Sequence, residues 1–148
     1  YENLLETTLV LAAFIPVIIG MGGNIGTQTS TIIVRGLATG RVNVGNNMKI
    51  LFKEIRVGLI LGVLYGILLG LFTLTRFMDS SPNLGIVVGL SITTSMLIAT
   101  SIGAFVPLLL NKLEIDPAVA TGPFVTTSID IIGVTLYFLI ASLFLPLA

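Results

Sequence analysis

Apolar residues run along this chain in four blocks, at residues 4–39, 57–75, 84–110 and 118–145. Each is close to or beyond the ~20 residues a helix needs to cross the ~30 Å hydrocarbon layer of a bilayer. Charged residues gather between the blocks, so the pattern predicts an all-α membrane protein with four membrane-spanning helical segments. The first block is too long for a simple span. From Glu6 to Arg35 a helix would rise roughly 44 Å, which places Arg35 past the far interface. The stretch GMGGNIGTQTST, residues 20–31, then falls inside the membrane on Arg35's side of the midplane. It carries four glycines, two amides and a run of hydroxyls, and predicts a first helix that is bent or loosened there.

The other blocks differ in texture. Gly58, Gly62, Gly66 and Gly70 recur every four residues in the second, which leaves a bare strip along one helix face. Ser91, Ser95, Ala99 and Gly103 repeat the spacing in the third, and the two strips are expected to pack on each other. In the fourth, Asp116 and Pro117 read as N-cap and first helical residue. Pro123 then falls within the span, where it should kink the helix and free a carbonyl, with Thr126, Thr127 and Ser128 as local hydroxyl partners.

Composition supports the membrane reading. Of 148 residues, 55% are hydrophobic and 9% charged, with a mean hydropathy of +1.10; soluble domains carry roughly 25% charged residues. Net charge is zero, so nothing points to nucleic acid. Cysteine and histidine are absent, which removes thiol chemistry, His-based metal sites and Ser-His or Cys-His catalysis. A metal bound here must be held by oxygen. Arg35, Arg41, Lys49, Lys53 and Arg56 lie between blocks one and two and Lys112 between three and four, whereas only Arg76 lies between two and three. The positive-inside rule makes the first and third connections cytoplasmic and places both chain ends outside. That arrangement, with Tyr1 in place of Met and no signal peptide, predicts an upstream helix and an origin in a longer protein.

Among the acidic residues, Glu2, Glu6, Glu54, Asp79, Glu114 and Asp116 fall in termini or connections, and Asp130 lies within the last span. Reckoned from the span's expected start, Asp130 is about 20 Å in. An unpaired carboxylate there costs at least ~2.5–3.5 kcal/mol on insertion scales, and such groups face cavities or pathways. A protonated Asp130 bonded to a neighbouring helix is the plainer alternative. Gly122, Thr126, Asp130 and Val134 follow one another by single helical turns, flanked by Thr127 and Gly133, so a small polar stripe leads to the carboxylate.

The glycine-rich stretch admits two readings. A nucleotide loop is excluded, because G-x-G-x-x-G would need glycine where Ile25 stands and no GK[ST] follows. Close helix packing accounts for the glycines alone. Asn24 and Gln28, one turn apart, need polar company at membrane depth, which favours Gly23, Asn24, Thr27 and Gln28 as the wall of a polar path on the cytoplasmic side of Asp130.

The segment PVIIGMGGNIGTQTSTIIVRGLAT, with Pro16, Gly20, Gly23, Asn24, Gly26, Gln28, Arg35, Gly36 and Ala38, resembles the signature of the MgtE-type magnesium channels. DPA at residues 116–118 and GPFVTTSID at residues 122–130 are similar to that family's last-helix motif. The resemblance covers essentially the whole chain. It implies a homodimer in the lipid bilayer of the cell membrane, with five membrane helices per subunit and a central pore walled by the second and fifth, here the first and last blocks. It makes residues 1–148 a transmembrane ion-conducting domain, spans two to five of five, that lacks the first helix and the N-terminal cytosolic regulatory domains. The family's membrane aspartate, which recognises hydrated Mg²⁺, corresponds to Asp130, and pore-wall positions to Thr126 and Gly122.

Mg²⁺ is a hard cation that keeps several waters and takes oxygen ligands, so two Asp130 carboxylates across a two-fold axis could hold it hydrated. Mn²⁺, Co²⁺ and Ni²⁺ are further candidate cargoes. Two other classes compete. One is a proton- or sodium-coupled antiporter, and the other a non-conducting dimerisation module. A membrane aspartyl protease is excluded, since it needs a second intramembrane aspartate.

Overall fold

The computed structural model describes residues 9–42, 47–77, 83–120 and 122–145. Expectations for Glu2, Glu6, Asp79 and the start of the first span fall outside these residues. Four helices make up the fold: α1, Leu9–Ala38; α2, Asn47–Arg76; α3, Leu84–Lys112; and α4, Pro123–Phe144. A short 3₁₀ turn, Pro117–Ala120, precedes α4. All four helices are long and apolar enough to cross a membrane, and the chain is a multi-pass membrane protein.

Two boundaries and one helix interior depart from the sequence reading. Helix α2 begins at Asn47, ten residues before Val57, so Lys49, Lys53, Glu54 and Arg56 are helical. Long basic side chains allow this, because they reach the interface from a helix that is already entering the membrane. At the other end of the chain, Asp116 caps the 3₁₀ turn, its Oδ1 accepting from the Ala118 amide at 2.9 Å. Pro123 is therefore the first residue of α4, where its missing N–H costs nothing, and it does not kink the span. Thr126 and Ser128 donate back to carbonyls one turn earlier. Finally, α1 stays α-helical throughout the glycine-rich stretch, so the loosened backbone expected there is absent.

Helices α1, α3 and α4 pack on one another, and α2 leans on the outer side of α3. The core holds Leu11, Phe14, Ile18, Val88, Ile92 and Ile129. Small residues set the helix spacing, but not in the pairing expected from sequence. The α2 glycines meet Gly85, Gly89, Thr93 and Thr100 of α3. A Cβ at Gly62 would stand 2.9 Å from the Thr93 carbonyl oxygen, and one at Gly66 would stand 2.6 Å from that of Gly89. Thr93 ties the pair, donating to the Gly62 carbonyl at 3.0 Å. The Ser95, Ala99 and Gly103 strip turns the other way: Ser95 meets Gly22 of α1 and Gly133 of α4, while Ala99 and Gly103 meet Gly26. Helix α3 thus presents one small-residue face to α2 and a second to α1 and α4.

A hydrogen bond fastens α4 to α1. The Tyr137 hydroxyl, fully buried, donates to the Leu11 carbonyl at 2.8 Å. Tyr137→Phe removes the donor while keeping the ring, and we expect it to cost about 1 kcal/mol, as interhelical bonds in membranes do. Unfolding in denaturing detergent measures this.

Candidate ion pathway

Two faces of α1 divide the work of the glycine-rich stretch. Gly22, Ile25, Gly26, Thr29, Ser30 and Ile33 are buried toward the core. Gly22 and Gly26 lie so close to Ile129 of α4 and to α3 that neither has room for a side chain. The other face carries Gly20, Gly23, Asn24, Thr27, Gln28 and Thr31, spaced three and four residues apart and therefore on one side of the helix. Close packing on the first face brings α4 near enough for the second face and α4 to enclose a shared space.

That space is an open groove of about 600 Å³, lined by this α1 face together with Thr126 and Asp130 of α4. Asp130 sits roughly 10 Å along α4 from Pro123, not 20 Å, because the helix starts later than the sequence suggested. Its half-buried carboxylate stands against Gly23, where a Cβ would lie 3.5 Å from Oδ1. Gly23 thus leaves space for the carboxylate. Oδ1 is buried and has no hydrogen-bond partner among the described residues. Asn24 and Gln28 are exposed along the same groove and make no side-chain hydrogen bond among the described residues. Thr31 closes its own bond, donating to the Thr27 carbonyl at 2.8 Å. Among the described residues nothing bonds these amides, so their partners come from elsewhere, such as water, an ion or another chain.

Of the residues singled out by sequence, Gly23, Asn24, Thr27, Gln28, Thr126 and Asp130 all line this groove, and Gly122 does not. Gly122 is the N-cap of α4, in an extended conformation and open to its surroundings. Val134 and Gly133 also leave the stripe, and Gly133 faces Ser95 in the core. Sequence reading missed Gly20, Thr31, Ile19 and Ile32 in the lining. Helical spacing from Gly23, Asn24 and Gln28 reaches Gly20 and Thr31, whereas Ile19 and Ile32 carry no polar signal. Among the described residues no three acidic side chains come together to cage a metal ion. The groove therefore offers a single carboxylate and a row of neutral amides and hydroxyls.

Residues 15–140 match the family model for MgtE, described as a divalent cation transporter. The chain belongs to the MgtE family. Similar proteins include the magnesium transporter MgtE of Bacillus subtilis (strain 168), 34% identical over 145 residues. Those of Thermus thermophilus and Enterococcus faecalis are each 37% identical. These alignments cover 98% of this chain and 32% of each relative, so the chain spans about a third of the length of the curated relatives it matches. Family membership and the four apolar helices make this a transport-family protein of the cell membrane, and magnesium is the ion named for these relatives.

Proposed function

We propose that this protein conducts hydrated Mg²⁺ down its electrochemical gradient along the groove between α1 and α4. Asp130 acts as the recognition carboxylate. The observation that carries this reading is the buried Asp130 oxygen, without a hydrogen-bond partner among the described residues, at a groove whose other polar side chains are uncharged. A divalent ion needs that oxygen, and a row of amides and hydroxyls can exchange bonds with its waters without trapping it.

The groove is open along one side, and a second copy of the chain across a two-fold axis would close it and add a second Asp130. Two carboxylates then match the charge of one Mg²⁺ without stripping its waters. Residues 1–148 form the conducting domain, and cytosolic regulatory domains elsewhere in the parent protein control it. Mn²⁺, Co²⁺ and Ni²⁺, similar in charge and hydration, are secondary cargoes.

No coupling ion is required. An inside-negative potential supplies ~2.3 kcal/mol per charge per 100 mV, about twice that for a divalent ion. In proteoliposomes, Mg²⁺ uptake should rise with an imposed inside-negative potential and continue when pH and sodium gradients are collapsed. Uptake that stops with either gradient and ignores voltage would identify an antiporter instead, and absence of uptake at every potential would leave a dimerisation module.

A further inference from the structure

A second cavity, of about 540 Å³, lies at the end of α1 and the start of α2 and borders the groove at Ile32, which lines both. Its wall includes Arg35, Arg41 and Lys53, with Glu54, and apolar Ile32 and Ile50. The chain is built to gather these cations. Gly40, at φ +69°, ends α1 in the left-handed conformation glycine tolerates. The following residues fold back, with the Val42 amide donating to the Gly36 carbonyl at 3.0 Å. That return places Arg41 beside Arg35, facing Lys53 of α2.

None of the three cations makes an ion pair or side-chain hydrogen bond among the described residues, and neither does Glu54, which is only 7% exposed. The cavity therefore holds three positive charges against one negative, an excess of two. The positive-inside rule accounts for basic residues on this side of the membrane but not for a walled cavity between two helices.

We propose that this cavity is a binding site for the phosphate headgroup of an anionic phospholipid of the cytoplasmic leaflet. Unpaired cations grouped between membrane helices at the cytoplasmic interface match a headgroup phosphate in charge and depth. The apolar surroundings select a lipid over a soluble anion. Val57 (37% exposed) lies one turn deeper than Lys53 on the same side of α2, where an acyl chain below a bound headgroup would run. None of the cavity's charged residues lines the groove, and the test does not depend on transport.

Spin-labelled phosphatidylglycerol and spin-labelled phosphatidylcholine, added to the protein in phosphatidylcholine bilayers, report the relative association of each lipid. The expected result is a preference for phosphatidylglycerol that falls roughly five-fold for each of Arg35→Gln, Arg41→Gln and Lys53→Gln, the effect of about 1 kcal/mol per cation. Arg76→Gln, an exposed cation at the opposite end of α2, should leave it unchanged. Glu54→Gln removes the opposing charge and should strengthen the preference. Weakening by Glu54→Gln would mean that the cations serve Glu54 and would overturn the proposal. So would an equal loss in Arg76→Gln, or no preference in the unmodified protein. Displacement of the labelled lipid by inorganic phosphate or by polyglutamate would refute the lipid assignment in favour of a soluble anion or an acidic chain.

Discussion

Asp130→Asn is expected to abolish divalent selectivity while leaving the fold intact. Asparagine keeps the shape of the side chain and one carbonyl oxygen, and no hydrogen bond to the buried Oδ1 among the described residues is there to be lost. What disappears is charge, once per subunit and twice in the proposed dimer. Unit charges about 4 Å apart interact by ~4 kcal/mol at an effective dielectric near 20. Half of that per carboxylate, allowing for the ion's retained waters, still amounts to roughly thirty-fold in occupancy. Asp130→Glu retains the charge but moves it a methylene further into the groove, so a partial loss is expected. Stopped-flow Mg²⁺ uptake at fixed voltage compares the three proteins. Wild-type rates and selectivity in Asp130→Asn would leave Asn24, Gln28 and Thr27 as the recognition groups.

The second large effect concerns packing. At Gly66 a Cβ would meet the Thr93 side chain and stand 2.6 Å from the Gly89 carbonyl oxygen, so the obstacle includes backbone, which cannot turn aside. Gly66→Leu should therefore force α2 off α3 and cost roughly 3 kcal/mol, the upper end of overpacking penalties. Gly20 provides the contrast, because no atom lies within 4 Å of a Cβ placed there. Gly20→Leu should leave stability nearly unchanged yet narrow the groove and slow uptake. Unfolding in denaturing detergent separates the two variants. Equal destabilisation by both would show that small residues do not set the helix spacing as described.

These two glycines also show how far sequence alone reaches. The four helices were legible because apolar length and the placement of basic residues act through the membrane itself, independent of neighbours. The groove-lining residues were legible for a related reason. Asp130, Asn24 and Gln28 are costly in a bilayer, and that cost marks them wherever the helix turns. Partner choice was not legible. Helix α3 carries small residues on two faces, at 85, 89 and 93 and at 91, 95, 99 and 103, and four-residue spacing cannot say which face meets which neighbour. The start of α4 was ambiguous because Pro117 and Pro123 are both good first-turn residues, and the 3₁₀ turn took one of them. Gly122 was misplaced as a consequence, since it belongs to the cap rather than to the helical stripe. Glu54 looked like a connection residue because its basic neighbours resemble a loop, whereas α2 had already begun.

Because the chain contains no cysteine, a single introduced thiol reports on one position only. The most direct measurement is Mg²⁺ uptake by Gln28→Cys in proteoliposomes before and after a charged, membrane-impermeant thiol reagent, with Ile67→Cys on the exposed side of α2 as control. If the groove between α1 and α4 is the pathway, modification at position 28 blocks uptake, high Mg²⁺ slows the block, and position 67 is silent. Full uptake after demonstrated modification of position 28 would contradict it and place the ion's route elsewhere in the molecule.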